Sequence, residues 1–382
     1  MIKFLDLAKQ YESIKSEIDA AVSAVIGASG FIGGRFVQQF EEDFADYHGL
    51  QYCVGVGNGT DAIEIALEAL DLPRGSEVIV PANTFIATAE AVSRTGHRIV
   101  FCDCNPRNYT ISVDDAAKKI TRKTTAIIPV HLYGHPCDMD GVLDLADKHG
   151  LRVIEDCAQA HGAEYKGRKV GVIGDIGTFS FYPGKNLGAY GDGGAIITKD
   201  TALAKKCRMI ANHGRTAKYD HEFEGRNSRL DGLQAAILSV KLRHLDKWNV
   251  QRAAIARIYQ EGLSGDKRMI LPCQESWAKP VWHLFVIRID QRDCFKKYLK
   301  EMQIECGIHY PISLPKLNAF GYLGQAAEPM FANRSDQDLL SLPISDSMTF
   351  ADAQIVLDAF RQFEQSRSES SIPRTDALGQ AL

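Results

Sequence analysis

Seven short apolar runs punctuate the first two hundred positions, with helical patterns between most of them. The runs are Tyr52–Val56, Glu77–Pro81, His97–Cys102, Thr125–Val130, Leu151–Glu155, Thr178–Tyr182 and Ala195–Thr198. Several are apolar almost throughout, as strands covered on both faces must be. Thr60–Leu70 places Ile63, Leu67 and Leu70 at helical spacing, and Thr84–Arg94 and Met139–His149 repeat the pattern. Ser112 with Asp115 three residues on is close to a capping box and opens a helix through Ile120. Strand alternating with helix predicts an α/β domain built on a mostly parallel sheet. One connection breaks the rule. Thr178–Tyr182 and Ala195–Thr198 are joined by a glycine-rich stretch without helical period. A parallel crossover needs at least about a dozen residues, usually as a helix, so this pair is read as antiparallel.

Toward the ends the pattern changes. Ile14, Ile18, Val22, Val25 and Ile26 mark an amphipathic helix near the N-terminus, and Leu230 to Tyr259 reads as one long helix. Asp266 to Pro280 is irregular. Val281–Ile289, a helix near Phe295–Met302 and a last helix at Ala351–Arg361 predict a smaller α+β unit. The division is expected near residue 245, giving a large domain 1–245 and a small domain 246–382. A chain of 382 residues suits two domains. The polar residues after Gln365 predict a frayed or loosely docked tail.

Composition removes several classes. Lys plus Arg is 44 and Asp plus Glu is 48, a net charge of −4, and no long basic run marks a nucleic-acid or membrane-surface partner. No apolar run approaches the roughly 18 residues that span a bilayer. Glu12, Lys15, Glu17 and Asp19 interrupt the first helix, which is therefore not a signal peptide, and a cytoplasmic protein is expected. The nine cysteines are odd in number and form no C-x-x-C, which predicts reduced thiols.

Three segments carry candidate chemistry. Gly55-Val-Gly57-Asn58-Gly59-Thr60-Asp61-Ala62 joins the first strand to a helix, where free N–H groups and the helix dipole favour an anion. Gly57-x-Gly59-x-x-Ala62 also fits the loose dinucleotide fingerprint. That fingerprint wants an acid at the end of the second strand, whereas Glu77 opens it. The second segment is Val153-Ile-Glu155-Asp156-Cys-Ala-Gln159-Ala-His161, an apolar strand ending in acids with Asp156 placed to meet a ligand. The third runs from Phe179 through Ser180, Tyr182 and Lys185 to Gly194. It sets a lysine in a glycine-rich bend, and its spacing is not that of a P-loop. Apolar walls lower a lysine's pKa and free its amine for attack on a carbonyl. A phosphate, a group wanting a carboxylate and a carbonyl occur together in pyridoxal phosphate. His131, His135, Cys137 and Asp138 cluster in sequence, but Gly134 and Pro136 suggest a turn without convergent ligands, and no metal is expected.

On these motifs, together with Asn227-Ser-Arg229-Leu-Asp-Gly-Leu-Gln-Ala-Ala236, the chain resembles the DegT/DnrJ/EryC1/StrS family of nucleotide-sugar aminotransferases from about Phe4 to Phe363. The resemblance implies the type I aminotransferase fold, with a seven-stranded, mostly parallel sheet and a smaller C-terminal domain. It implies that Lys185 bonds the pyridoxal phosphate, Asp156 pairs with the pyridine nitrogen and Gln159 lies near the ring hydroxyl. Gly59, Thr60 and Ser180 would hold the phosphate, Phe85 would stack on the ring, and Asn227 would reach the phosphate of a neighbouring subunit in a homodimer. The donor would be L-glutamate, with pyridoxamine phosphate as the amine form of the cofactor. The wording of the first and third motifs is closer to the branch acting on C3 ketones of dTDP-linked 6-deoxyhexoses. UDP-linked 3-keto-N-acetyl sugars, 4-keto sugars and keto-inositols are alternatives. A binding or regulatory protein that keeps the fold without turnover, and a nicotinamide dehydrogenase on the Gly57 turn, are rivals of another class. Tyr182, His213, Tyr219, Arg229, His309 and Tyr310 are candidates for substrate contact. The loop His309-Tyr-Pro-Ile-Ser313-Leu-Pro315-Lys-Leu317 departs from the family at Ser313, Pro315 and Leu317.

Overall fold

In the computed structural model, which describes residues 1–369, the seven runs form one sheet. Its strands are β1 (Tyr52–Val56), β2 (Glu77–Pro81), β3 (Arg98–Cys102), β4 (Thr124–Ile127), β5 (Arg152–Asp156), β6 (Ile176–Ser180) and β7 (Gly194–Thr198). Their spatial order is β1-β7-β6-β5-β4-β2-β3. β7 runs antiparallel to both β1 and β6, while the other pairings are parallel. The bend between β6 and β7 contains no helix that could cross the sheet, so the chain turns back on itself. As a result β1, β2, β5 and β6 all end at one edge, and the bend opens over that edge.

Alternate residues serve opposite faces of the sheet. Val54, Val78, Val80, Ile154 and Ile196 pack with Ile63 and Leu67 of the Gly59–Ala69 helix. Cys53 and Ile197 pack on the other side against Phe40, Phe44 and Leu238. Ile79, Ile127 and Val153 meet Val142 and Leu145. Every position of β2 and β7 is buried, which is why these runs read as apolar throughout. The helices start where capping side chains sit. Asn58 accepts from the Asp61 N–H at 2.8 Å, and Ser112 accepts from that of Asp115 at 3.3 Å.

The small unit is a three-stranded antiparallel sheet of β8 (Met269–Ile270), β9 (Phe285–Ile289) and β10 (Leu339–Leu342), in the order β8-β9-β10. Phe285, Ile287 and Ile289 face its own core with Tyr259, Phe295 and Phe360. The alternate residues Leu284 and Val286 join the core of the large sheet instead. β9 is therefore shared between both cores, and the segment leading into it is brought to the edge where β5 and β6 end.

Several boundaries differ from the sequence reading. The long helix from Leu230 is two helices, Gly232–Leu242 and Leu245–Gly262, broken at Arg243 and His244. Near the N-terminus the pattern resolves into Leu7–Ser13 and Lys15–Gly27. The Gly34–Tyr47 helix, which buries Phe40 and Phe44, had not been picked out at all. Asp266–Pro280 contains the short strands Met269–Ile270 and Ala278–Lys279. The last helix spans Phe350–Glu369, past the Gln365 at which fraying was expected. The rest of that tail lies outside the described residues. The nine cysteines are unpaired, six of them buried. Among the described residues no helix is long and apolar enough to cross a membrane.

Candidate active site

Where β1, β5 and β6 end, the chain builds a cleft of about 920 Å³. Gly59, Thr60, Phe85, Asp156, Gln159, Ser180, Tyr182, Lys185, His309 and Tyr310 line it. The three motifs, far apart in sequence, thus converge on one space. In open α/β sheets this edge is where ligands bind.

The anion-binding corner is a close approach. A methyl group added at Gly59 would lie 2.5 Å from Ser180 Cβ, so only glycine lets the helix start this near the end of β6. Gly57 N–H donates to Ser228 Oγ at 3.0 Å, which ties down the turn ahead of it. The first N–H groups of the Gly59–Ala69 helix have no partner within the helix, and with the dipole behind them this end favours an anion.

Asp156 closes β5 with its carboxylate buried and fixed. Oδ2 accepts from Thr88 Oγ1 at 2.8 Å and Oδ1 from the Ala158 N–H at 3.1 Å. Beneath it, Glu155 points the other way, into the protein. Glu155 accepts from the N–H groups of Gly171, Ile173 and Gly174 at 2.7–2.8 Å and meets His131 Nε2 at 3.0 Å. Burial pushes the Glu155 carboxyl up, but His131 and the N–H donors outweigh it and hold it below its usual range. His131 Nδ1 accepts from the Cys137 N–H at 3.0 Å, so Nε2 carries the hydrogen. His131, Glu155 and Cys157 lie close enough to hold a metal ion. These donors already satisfy the Glu155 carboxylate, however, and the cluster braces the 171–174 loop beneath the cleft. His131 is wholly buried there and does not border the cleft.

Gln159 is also fixed at both ends. Its Oε1 accepts from the Tyr133 N–H at 2.6 Å and its Nε2 donates to Tyr310 OH at 3.1 Å. Phe85 is half-exposed on the opposite wall, its ring 5.7 Å from that of Tyr310. Lys185 lines the same cleft. Desolvation lowers its pKa to about 8, against the pull of the Asp156 carboxylate in the other direction. The unprotonated fraction of the amine near neutral pH is therefore far larger than that of a hydrated lysine. His309 is held neutral by burial first and by the charge of Lys185 second, with its pKa lowered to about 4.

Asn227, expected at a neighbouring subunit's phosphate, and the substrate candidates His213, Tyr219 and Arg229 do not line this protomer's cleft. Asn227 and His213 are exposed, and Tyr219 is 80% exposed. Arg229 Nε is buried without a partner. All four belong to the 213–229 segment, which contains a short hairpin, Arg215–Ala217 with Asp220–His221. The positions at which the His309 loop departs from the family also stay clear of the cleft. Ser313 is buried and bonded to Asn333 and Asp336. Conversely, Thr88, Arg252 and His283 border the cleft without having been singled out. Thr88 carried a faint signal, as a hydroxyl on the buried face of an alanine-rich helix.

A lysine amine of lowered pKa, a fixed buried carboxylate and a glycine-gated anion corner at this edge of such a sheet define an aminotransferase fold and site. The chain belongs to the DegT/DnrJ/EryC1/StrS aminotransferase family, whose profile matches residues 12–361. It is 43% identical over 367 residues to a dTDP-3-amino-3,4,6-trideoxy-alpha-D-glucose transaminase of Streptomyces venezuelae, covering 95% of this chain and 96% of that one. It is 43% identical to a UDP-N-acetyl-3-dehydro-alpha-D-glucosamine 3-aminotransferase of Acidithiobacillus ferrooxidans, over 90% of this chain and 92% of that one. The crystal structure of S. venezuelae DesV in complex with a ketimine intermediate superposes with a TM-score of 0.93. Identity there is 42%, with 95% of this chain and 98% of that chain covered. The protein is an enzyme, and its cofactor is pyridoxal phosphate, which alternates with pyridoxamine phosphate. The cleft fits that group, because the Gly59 corner would be filled by any side chain and Asp156 presents a fixed anion to a protonated ring nitrogen.

Proposed function

We propose that this enzyme moves the amino group of L-glutamate to the C3 ketone of a dTDP-linked 6-deoxyhexose, as a cytoplasmic homodimer. The observation that carries the reading is the convergence of Lys185, Asp156 and the Gly59 corner in one cleft. The C3 position and the dTDP carrier are supported by the Streptomyces relative and by the wording of the motifs. When bound, pyridoxal phosphate supplies an aldehyde that bonds amines and a protonated ring that draws electrons from them.

The chain does the rest. The Gly59 and Thr60 N–H groups and Ser180 Oγ hold the phosphate. Asp156, kept in place by Thr88 and Ala158, keeps the proton on the ring nitrogen. Gln159 meets the ring hydroxyl, and Phe85 covers the ring face and excludes water. Lys185 Nζ takes the proton from the donor's Cα and delivers it at the cofactor carbon, for which an amine of pKa about 8 is well matched to neutral pH. In a homodimer the 213–229 segment would bring Asn227 to the partner's phosphate, with Tyr219 and Arg229 beside it. That placement explains why these polar groups find so little use within one protomer.

A panel of keto sugars with product mass analysis tests the substrate. Turnover of the dTDP-linked 3-keto-6-deoxyhexose at least tenfold faster than the others is expected. Preference for a UDP-linked 3-keto-N-acetyl sugar, the chemistry of the Acidithiobacillus relative, would overturn the dTDP assignment.

A further inference from the structure

A chain of amide groups behind the cleft fixes the state of one histidine. Asn249 Nδ2 donates to the His161 carbonyl at 2.9 Å, so its Oδ1 is the atom that accepts from Asn186 Nδ2 at 2.9 Å. The same Asn186 nitrogen donates to the Val281 carbonyl at 2.9 Å. Backbone carbonyls only accept, so neither amide can be turned over. Asn186 Oδ1 is left facing His283 Nδ1 at 3.0 Å, and that ring nitrogen must carry the hydrogen. In a neutral imidazole Nε2 then holds a bare lone pair. His283 lies two residues before β9 and borders the cleft that contains Lys185.

The surroundings keep the ring neutral. Burial comes first, and Lys185, Arg252, His309 and His161 act in the same direction, Lys185 the most strongly of the four. Asp156 from the end of β5 and Tyr310 from the 309–313 loop also face this space. Among the neighbouring donors, Arg252 is engaged elsewhere. Arg252 Nη1 is shared among the carbonyls of Trp282, His283 and Ile344 at 3.0–3.4 Å. His309 Nδ1 meets Ser341 Oγ at 2.8 Å, and Tyr310 OH is bonded to Gln159. Asn186 directly follows Lys185, so the amide chain holds the lysine's bend and the imidazole in one frame.

We propose that His283 is a positioning residue for Lys185, its Nε2 accepting a hydrogen bond from Lys185 Nζ whenever that amine is free. The side chain swings to meet it, since the two are not hydrogen-bonded in this conformer. The role rests on Lys185 acting as proposed above. It gives the lysine a defined resting place while the amino group resides on the cofactor.

The test uses full-length protein loaded with pyridoxamine phosphate, in which the Lys185 amine is free. Acetylation of Lys185 by a small acylating reagent is followed against pH by peptide mass spectrometry. His283→Asn keeps an amide nitrogen where Nδ1 was, and so keeps the Asn186 link, but removes Nε2. His283→Gln returns a carbonyl acceptor toward the cleft. His283→Asn should lower the apparent pKa of Lys185 by about one unit, the effect of removing one acceptor from an ammonium. It should also lower kcat about tenfold with the KM for the keto sugar unchanged. His283→Gln should restore most of both. Nitrogen-15 spectra of the wild type should show the hydrogen on Nδ1 of His283. An unmoved Lys185 titration in His283→Asn would overturn the proposal, as would a raised sugar KM with that titration intact, or a hydrogen found on Nε2. Failure of the functional reading itself would look different, because wild-type protein holding pyridoxal phosphate would then take no amino group from L-glutamate.

Discussion

The cleft and the 213–229 segment proposed to complete a partner's site are built on opposite plans. Gly59, Asp156, Gln159 and Ser180 stand at or just beyond the ends of buried strands, held by contacts within one protomer, and Lys185 follows in the bend after β6. The 213–229 segment stands outside the sheet, with Tyr219 and Asn227 exposed and Arg229 Nε unpartnered. The contrast teaches where fixed geometry comes from. Strand ends anchored in a core hold a carboxylate and an amide in place at no added conformational cost, whereas a hairpin gains its geometry from what docks on it.

The most drastic way to break the comparison is Lys185→Ala. Turnover should fall at least about a thousandfold while the far-ultraviolet circular dichroism stays unchanged, because the amine both bonds the cofactor and moves the proton. Retention of activity would remove the strand-end half from the chemistry. Asp156→Asn should follow, with kcat down about a hundredfold and the cofactor still bound, since the amide keeps the shape and loses the charge. A fall confined to cofactor affinity would show that Asp156 only shapes the pocket.

Two smaller effects sharpen the contrast. Mixing Lys185→Ala protomers with protomers carrying both Asn227→Ala and Arg229→Ala should restore about a quarter of wild-type sites, the statistical share when each site draws on two subunits. No recovery in a mixture shown to contain mixed dimers would place the hairpin outside the shared site. Gly59→Ala should weaken cofactor affinity about tenfold by equilibrium dialysis, because its methyl meets Ser180 Cβ at 2.5 Å. Unchanged affinity would mean that the corner yields and does not gate the phosphate.

The difference in plan also decides what the sequence could reveal. The seven strands were legible because β2 and β7 are buried at every residue and the others nearly so, which leaves apolar runs with sharp ends. The antiparallel β6–β7 pair was legible from what its connection lacked. Asp156 and Lys185 stood out as polar residues directly after such runs. His283 and Arg252 did not, because they come from the 245–289 region and reach the cleft only through tertiary packing. The break at Arg243 and His244 was missed for a related reason. The apolar periodicity continues through it, and a helix break without Gly or Pro leaves no local mark.

Acid–base behaviour gives one further check. Burial places the free Lys185 amine at about 8, below the 10.5 of a hydrated lysine. The unprotonated fraction therefore rises as pH passes through about 8, and uptake of pyridoxal phosphate by the apoprotein should accelerate through that range and level off above it. Acceleration that continues to about 10.5 would mean that the amine is fully hydrated.

The most direct test of the central claim is the visible absorption of the protein with pyridoxal phosphate, before and after L-glutamate, followed by borohydride reduction and peptide mapping. The account predicts a yellow band that bleaches with L-glutamate and, on reduction without the donor, cofactor mass fixed to the peptide containing Lys185. No band, or cofactor mass on a different lysine, would contradict it.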